Sequence, residues 1–494
     1  MVSSPQGPGA PEFINRTAEL RELVQLASRG EPALALLYGR RRVGKTFLLD
    51  HAFRQHRYFY FLAGDTTAEF NKRELLTEIA PMLDNPADAS PNLYPSWRHV
   101  FRLFADLAKS GPLIVVLDEF QNLLGSTGED IPSQLMAVWD REVRGLPLLL
   151  VLCGSEVATL QGLEDGGGPL YGRWSWAARL RPFTYEHAAE MAPGRPNRER
   201  ALIYGILGGT PRFLSSIRQG EDLGQLIAES VLSPRGSVHV QLERILEQER
   251  GIRDQSDYRA VLAAVASGST DVARIAQVTG LAERPYVVRR ALEVLERLEL
   301  VGRERNFGSG PKAPWRYYIS DNALRFWYRF VQPNRSSLET GDPTDVWAED
   351  VAPYLDQYMG KVFEQIFREA FAKQGTSWGY GRAAKWSRWE GRDRYRRSVE
   401  VDLIAELQDR RILTGEIKWS SKPVSAEIHT QLARNLEDLA ASGHGWAKDA
   451  LSIERSAGHV YVSAGGFTDG FRRLAEADQR IRLLTLEDVY KSSP

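Results

Sequence analysis

The 494-residue sequence contains a single cysteine, Cys153, and carries almost no net charge. One cysteine excludes a disulfide framework and a cysteine metal site, and is typical of a reducing cytoplasm. The eight histidines show no metal-ligand spacing, and no Ser-His-Asp arrangement can be placed. Because the formal net charge is −1, any affinity for nucleic acid has to come from local basic patches.

Long apolar runs are also missing, which argues against a membrane protein. The longest run, LPLLLVLCG at residues 146–154, suits a buried strand instead. With 43% hydrophobic and 26% charged residues, the composition is that of a globular protein of about three domains. Residues 1–12 lack the basic and apolar parts of a secretory signal, so we predict a disordered leader and a cytoplasmic protein.

Apolar runs alternate with amphipathic helices between residues 13 and 235. Continuous apolar strands between helices are typical of a parallel sheet that is covered on both faces. The predicted strands lie at residues 33–39, 58–64, 112–120 and 146–155. We therefore expect an α/β domain over residues 13–235, which ends in a helical lid.

A phosphate-binding loop follows the first of these strands. Residues 39–46 read GRRRVGKT, which fits the pattern G-x-x-x-x-G-K-[ST]. Gly39 and Gly44 let backbone amides turn toward phosphate oxygens at the start of a helix. Lys45 is predicted to reach the β- and γ-phosphates of ATP, and the Thr46 hydroxyl to ligate Mg²⁺.

Acidic residues at the end of the third strand support this prediction. The run LIVVLDEF ends in Asp118 and Glu119, at the sheet edge where ligands bind in open α/β folds. Asp118 is predicted to hold Mg²⁺, and Glu119 to polarise the attacking water as a catalytic residue. Ser155 or Glu156, after the fourth strand, could sense the γ-phosphate.

Together with these motifs, the segments FINRTAELRELVQL, GPLYGRWSWAARLRPF and YGILGGTPRFL resemble the archaeal-type P-loop ATPases of the AAA+/STAND group. The resemblance implies that residues 13–16 border the base and that Pro211 packs near the nucleotide. It also implies that Arg173 contacts the γ-phosphate or a neighbouring subunit, in which case the protein is a homo-oligomer. For Arg173, the alternative is a surface salt bridge.

Residues 236–335 are predicted to form a winged helix-turn-helix domain. Three helical patterns precede two short strands around a tip rich in Gly and Pro, FGSGPKAP, at residues 307–314. Basic residues of the third helix and the hairpin are predicted to contact DNA. They are Arg289, Arg290, Arg303 and Arg305. Glutamates dilute the charge of the third helix, so a protein-docking role is the alternative.

Residues 345–494 carry acids and a lysine inside apolar strands. The segment at residues 399–419 reads VEVDLIAELQDRRILTGEIKW, and strand alternation puts Glu416 and Lys418 on one face. Apolar strands do not bury charges without a reason. Two carboxylates can hold Mg²⁺ or Mn²⁺, and a nearby lysine can position water and stabilise developing charge.

This arrangement resembles the core of the PD-(D/E)XK nucleases. The resemblance implies an α/β restriction-endonuclease-like domain with Asp402, Glu416 and Lys418 as its catalytic residues. The first two would bind the metal together with Glu364, an additional acid on the preceding helix GKVFEQIFREAF. The pattern departs from the family where Val401 replaces the proline, and this fold also includes inactive members.

A segment that mixes basic and aromatic residues lies just before these strands. It reads WGYGRAAKWSRWEGRDRYRRS at residues 378–398. Basic side chains neutralise phosphates and aromatic rings stack on bases, so we predict that the segment and its three tryptophans bind nucleic acid. The predicted DNA contacts are Lys385, Arg388 and Arg394.

The sequence as a whole predicts an α/β P-loop NTPase with a parallel sheet and a helical lid, a winged helix, and a nuclease-like domain. The expected function is an ATP-dependent DNA-binding protein with a metal-dependent nuclease, in genome defence or repair. The alternative is a nucleotide-regulated switch or scaffold whose nuclease-like domain is inactive.

Overall fold

The computed structural model of the protein describes residues 13–124, 130–247, 252 and 255–491. The leader predicted at residues 1–12 lies outside this range. The chain forms two compact units, one that runs to Pro182 and includes Thr210–Arg212, and one made of Phe183–Gly209 and Phe213–Pro494. No helix in the described part of the chain is both long and apolar enough to cross a membrane.

A five-stranded parallel sheet forms the centre of the first unit, in the order β2-β3-β4-β1-β5. The strands are β1 (Ala33–Tyr38), β2 (Tyr58–Leu62), β3 (Leu113–Asp118), β4 (Leu148–Gly154) and β5 (Trp176–Arg179). The helices around it are α1 (Thr17–Ser28), α2 (Lys45–Phe53), α3 (Ala68–Ile79), α4 (Trp97–Ala108), α5 (Ile131–Glu142) and α6 (Val157–Glu164).

Both faces of this sheet are covered, as the continuous apolar runs predict. Leu34 and Leu36 of β1 enter one buried cluster, whereas Ala35 and Leu37 enter a second cluster on the opposite face. The parallel α/β sheet is therefore confirmed. Strand β5 was not among the predicted strands, because the sequence WAAR is short and weakly apolar.

The second unit contains one large core that joins helices from distant parts of the chain. Tyr358 illustrates this, because its hydroxyl donates hydrogen bonds to the carbonyl oxygens of Gly205, at 2.6 Å, and Asn322, at 3.1 Å. The first helices of this unit are α7 (Tyr185–Glu190), α8 (Asn197–Leu207), α10 (Leu223–Ile227) and α11 (Ser237–Glu243). Helix α9 (Pro211–Leu214) contributes Phe213 and Leu214 to this core, while Pro211 and Arg212 are counted with the first unit. The domain boundaries predicted at residues 235 and 345 fall within this shared core.

Three helices and a hairpin occur where the winged helix was predicted. They are α12 (Gln255–Ala266), α13 (Val272–Val278), α14 (Pro285–Arg297), β6 (Val301–Glu304) and β7 (Arg316–Ile319). The Asp271 side chain caps α13 by accepting from the Arg274 amide at 2.9 Å. Gly280 has a φ of 72°, which suits the turn between α13 and α14. The predicted element order is therefore present, and β6 pairs with β7 in an antiparallel hairpin.

A mixed five-stranded sheet follows, in the order β12-β11-β10-β9-β8. Its strands are β8 (Ala383–Arg392), β9 (Ser398–Leu407), β10 (Ile412–Lys418), β11 (Ser456–Ser463) and β12 (Ile481–Thr485). The helices are α15 (Asn322–Phe326), α16 (Arg335–Thr340), α17 (Pro343–Val346), α18 (Leu355–Gln374), α19 (Glu427–Ala441), α20 (Gly445–Leu451), α21 (Asp469–Ala477) and α22 (Leu486–Tyr490).

The three tryptophans of the basic segment pack against apolar neighbours, Trp389 fully and Trp378 and Trp386 partly buried, so a role in stacking on bases stays a prediction. Trp378 stacks on Phe367 with ring centroids 5.6 Å apart, and Trp386 packs on Phe371 at 5.1 Å. Trp389 is only 6% exposed. Residues 383–392 of the segment form strand β8, and its tryptophan rings pack against other rings, whereas Tyr395 is exposed.

Candidate nucleotide and nuclease sites

The loop between β1 and α2 has the backbone shape that a phosphate site requires. Gly39 must be glycine, because a Cβ atom there would lie 2.2 Å from the carbonyl oxygen of Leu180. Gly44 has a φ of 94° and immediately precedes Lys45, the first residue of α2. The free amide groups of the first helical turn therefore point toward the loop and favour an anion.

Lys45, Thr46 and Asp118 come together at this sheet edge. The Lys45 ammonium donates to the carbonyl oxygens of Gly39, at 2.7 Å, and Arg40, at 3.1 Å. The Thr46 hydroxyl donates to Asp118 Oδ2 at 3.1 Å. A lysine, a hydroxyl and a carboxylate in this arrangement match the chemistry of a nucleotide with Mg²⁺, so the residues fit the expected cofactor.

Glu119 is held by two polar side chains. The Ser155 hydroxyl donates to Glu119 Oε2 at 2.7 Å, and the Gln121 amide donates to the same oxygen. Glu119 has a φ of 51°, an uncommon value for a residue other than glycine. Strand β4 lies between β3 and β1, which explains how Ser155 at its end reaches Glu119.

The residues assigned to the nucleotide by resemblance have different surroundings. Arg173 forms a bidentate ion pair with Asp140, at 2.9 and 2.7 Å, so the salt bridge considered as its alternative is present. Pro211 opens the short helix α9. Phe13 stacks on His51 of α2 with centroids 4.2 Å apart. The roles of these residues at the nucleotide stay predictions.

The three residues of the predicted nuclease core meet on one face of the second sheet. Gly415 pairs with Leu403 across β10 and β9, which brings Asp402 beside Glu416. The Lys418 ammonium bonds Asp402 Oδ2 and Glu416 Oε2, both at 2.7 Å. The amide of Ile417 also donates to Asp402 Oδ2, at 3.1 Å.

The two buried carboxyl groups, Asp402 and Glu416, have pKa values that are shifted in opposite directions. Asp402 is 9% exposed and Glu416 is 8% exposed. Burial and the charge of Asp402 raise the pKa of Glu416 to about 8. Burial also disfavours the charge of Asp402, but Lys418 outweighs it and the pKa of Asp402 is lowered. Near neutral pH the pair therefore shares about one negative charge and binds one ammonium.

Glu364 approaches the pair from α18. Burial, opposed by Lys361 and assisted by the charge of Asp402, raises the pKa of Glu364 to about 7. The Lys361 ammonium lies 2.8 Å from Glu364 and 3.1 Å from Glu400. Within the described residues, no three His, Cys, Asp or Glu side chains converge closely enough to hold a metal ion.

Two of the four arginines predicted on the third helix and the hairpin, Arg289 and Arg303, line an open groove. Arg289 and Arg290 are exposed on α14, and Arg289 lines the groove, which has a volume of about 970 Å³. Trp315 lies at its edge, with the guanidinium of Arg305 at 3.7 Å and that of Arg303 at 4.5 Å from the ring centroid. Arg303 also pairs with Glu296 at 2.8 Å.

The basic residues of β8 and its turn are paired with acids. Lys385 lies 2.7 Å from Glu406, and Arg394 lies 3.6 Å from Asp438. Arg388 is 13% exposed and contacts three carboxylates at 3.0–3.1 Å. They are Glu304, Glu390 and Glu400. Arg388 therefore links the hairpin to the sheet, and little of its charge faces solvent.

Comparison with known families identifies the first part of the chain. Residues 13–217 match the model of an ATPase domain predominantly from Archaea. This segment is therefore similar to archaeal-type ATPase domains. Residues 327–430 match a family of archaeal and bacterial proteins of unknown function, and this match includes Asp402, Glu416 and Lys418.

The chain is also similar to individual proteins of archaea. An uncharacterized protein of Methanocaldococcus jannaschii is 24% identical over 416 residues, which are 82% of this chain and 87% of that protein. A Walker-type ATPase of Pyrococcus abyssi shares the fold with a TM-score of 0.50 and 23% identity, over 64% of this chain and 96% of that chain. The Aeropyrum pernix ORC2 protein is similar at 16% identity and a TM-score of 0.44, over 67% of this chain and 98% of that chain.

Besides Gln121, which donates to Glu119, two residues that contact the candidate sites were not predicted. Tyr60 donates a hydrogen bond to Asp118 Oδ2 at 2.7 Å. Lys361 contacts Glu364 three residues along α18, a spacing that would have suggested the pair. No comparable pattern exists for Tyr60, because its contact depends on the neighbouring positions of β2 and β3.

Because the pKa of Glu416 is raised, we expect the stability difference between wild type and Glu416→Gln to depend on pH. Between pH 4.5 and 8 the folded protein holds more protons on this group than the unfolded chain, so its ionisation lowers stability as pH rises. One pKa unit corresponds to about 1.4 kcal/mol. We therefore expect the melting temperature of Glu416→Gln to rise relative to wild type by a few degrees between pH 5 and pH 9. Thermal melts in chelator test this, and a constant difference would contradict it.

Proposed function

We propose that this protein is an ATP-dependent DNA-binding protein whose C-terminal domain is a metal-dependent nuclease. In this proposal the nucleotide state controls DNA engagement or cleavage, in genome defence or repair. The contact of Lys418 with both Asp402 and Glu416, at 2.7 Å each, is the observation that carries the nuclease part. The match of residues 13–217 to an ATPase domain supports the ATP-dependent part of the proposal.

The ATP site uses the loop, Lys45 and the acids of β3. Backbone amides at residues 39–46 would bind the phosphates, and Lys45 would exchange its two carbonyl contacts for phosphate oxygens. Thr46 and Asp118 would hold Mg²⁺, which neutralises phosphate charge when bound. Glu119 is suited to accept a proton from the attacking water, with Ser155 and Gln121 fixing its carboxylate.

The nuclease site uses Asp402 and Glu416 as ligands for Mg²⁺ or Mn²⁺. Such a cation would require Glu416 to lose its proton and Lys418 to turn away from the carboxylates, so that its ammonium could reach water or a phosphate oxygen. Glu364 lies near enough for its pKa to respond to Asp402, which suits a role as an additional ligand after rearrangement.

Incubation of the purified protein with plasmid and linear DNA tests the proposal. The reactions contain Mg²⁺ or Mn²⁺, with and without ATP, and a chelator control. Cleavage that requires the metal supports a nuclease, and a change on adding ATP supports nucleotide control. DNA that is bound but never cut would instead support the second proposal.

That second proposal is a nucleotide-regulated switch or scaffold with an inactive nuclease-like domain. It is favoured by the lack of three converging metal ligands among the residues that the structure describes. Val401 at the position of the family's proline also favours an inactive domain.

An oligomeric form in which Arg173 reaches a nucleotide would require its release from Asp140.

Exposed arginines of α14 lead to a testable DNA-binding prediction. Arg289 and Arg290 have no compensating acid at ion-pair distance in the described contacts, whereas Arg388 has three. The double variant Arg289→Ala/Arg290→Ala is expected to bind duplex DNA about tenfold more weakly. The slope of log affinity against log salt should fall in magnitude by about 2, one for each lost phosphate contact.

Arg297 provides the control on the same helix. It is also exposed but lies near the C-terminal end of α14, about two turns away. Arg297→Ala should leave both the affinity and the salt slope near wild type. Equal effects of the two replacements would indicate a general loss of positive charge, and no effect of either would remove α14 from the DNA surface.

A further inference from the structure

We propose that Tyr60 is a positioning residue of the ATPase site, which orients Asp118 and thereby sets the Mg²⁺ affinity. The inference rests on the proposed role of Thr46 and Asp118 as the Mg²⁺-holding pair. Tyr60 belongs to β2, which pairs with β3 so that Tyr60 lies beside Val116, two residues before Asp118. Its hydroxyl therefore reaches the carboxylate along the same edge of the sheet.

The contacts of Asp118 show what Tyr60 holds in place. Asp118 is 3% exposed, and its Oδ2 accepts from the Tyr60 hydroxyl at 2.7 Å and from the Thr46 hydroxyl at 3.1 Å. The other oxygen, Oδ1, accepts from the Glu119 amide at 2.8 Å. With both oxygens bonded, the carboxylate cannot rotate freely, and the Thr46 hydroxyl keeps a fixed acceptor.

The chemistry of a phenol suits this role. A tyrosine hydroxyl ordinarily loses its proton only at about pH 10, so it can donate a hydrogen bond throughout the neutral range. It donates a hydrogen bond without adding positive charge. An arginine or lysine at the same place would hold Asp118 equally well but would repel the divalent cation.

Tyr58 offers a matched control on the same strand. It lies two residues before Tyr60, hence on the same face of β2, and it also interacts with a carboxylate, Asp50 of α2. Asp50 is exposed and takes no part in the proposed cation site. Tyr58→Phe therefore removes an equivalent hydroxyl from the same strand without touching Asp118.

The test compares Tyr60→Phe with Tyr58→Phe in two measurements. The first is the Mg²⁺ concentration for half-maximal ATP hydrolysis, which should rise about 10- to 100-fold in Tyr60→Phe only. The rate at saturating Mg²⁺ should stay within about threefold of wild type, because the group acts through the metal. The second is binding of fluorescently labelled ADP, which should weaken with Mg²⁺ present and stay unchanged in chelator.

Asp118→Asn separates this inference from the proposed site. If Asp118 helps to hold Mg²⁺, that replacement alone raises the Mg²⁺ requirement, and adding Tyr60→Phe to it causes little further change. No effect of Asp118→Asn would overturn the proposed cation site itself. A normal Mg²⁺ requirement in Tyr60→Phe, an equal shift in Tyr58→Phe, or equal ADP weakening in chelator would overturn the role of Tyr60.

Discussion

Lys45→Ala is expected to reduce ATP hydrolysis by at least about a hundredfold. Charged donors aimed at developing phosphate charge contribute about 10²- to 10³-fold each to catalysis. Lys45 is 7% exposed, and its ammonium is bound only to backbone carbonyls of the loop in the described contacts. It is therefore available to exchange those carbonyls for phosphate oxygens. Phosphate release at saturating ATP and Mg²⁺ measures the effect.

Arg41→Ala is the control for this experiment. Arg41 lies in the same loop and carries the same charge as Lys45, but its side chain is exposed to solvent. Since the loop binds phosphate through backbone amides at this position, the replacement should retain turnover within about threefold. Substantial hydrolysis by Lys45→Ala, or an equal loss in both variants, would contradict the assignment of Lys45.

The P-loop half of the molecule was largely predictable because its signals are local. The eight residues GRRRVGKT predict the loop, the start of the helix and the phosphate-binding lysine. The strands predicted from apolar runs at residues 112–120 and 146–155 end within two residues of the observed ends, Asp118 and Gly154. Strand order is not local, so the neighbours of these residues could not be predicted. Tyr60 reaches Asp118 only because β2 pairs with β3.

The C-terminal half shows where composition misleads. Strand alternation placed Glu416 and Lys418 on one face, and the structure brings Asp402 to them. The basic and aromatic segment before them has the composition of both a nucleic-acid surface and an amphipathic strand. The packing of Trp378 and Trp386 on α18 and the burial of Trp389 favour the amphipathic strand, and this packing is not visible in the composition. Sequence alone also could not show that Arg388 is surrounded by carboxylates.

Lys418→Ala is expected to abolish metal-dependent DNA cleavage, with a loss of at least about a hundredfold. The replacement removes the only ammonium that the described contacts place on both Asp402 and Glu416. A site with the two carboxylates but no cationic side chain lacks a group to stabilise the developing phosphate charge. Loss of plasmid nicking, with duplex binding unchanged, would assign Lys418 to the chemical step.

Lys422→Ala is the matched control, because Lys422 is exposed four residues after Lys418 and lies beyond the end of β10. It should cleave at the wild-type rate. Cleavage that persists in Lys418→Ala would point to a contaminating nuclease or another site, and would overturn the assignment.

If neither wild type nor Lys422→Ala cleaves while both bind DNA, the inactive nuclease-like domain becomes the favoured proposal. The ion pairs of Lys418 would then hold the strands together, and Lys418→Ala should lower the melting temperature instead, because two buried carboxylates lose their shared cation.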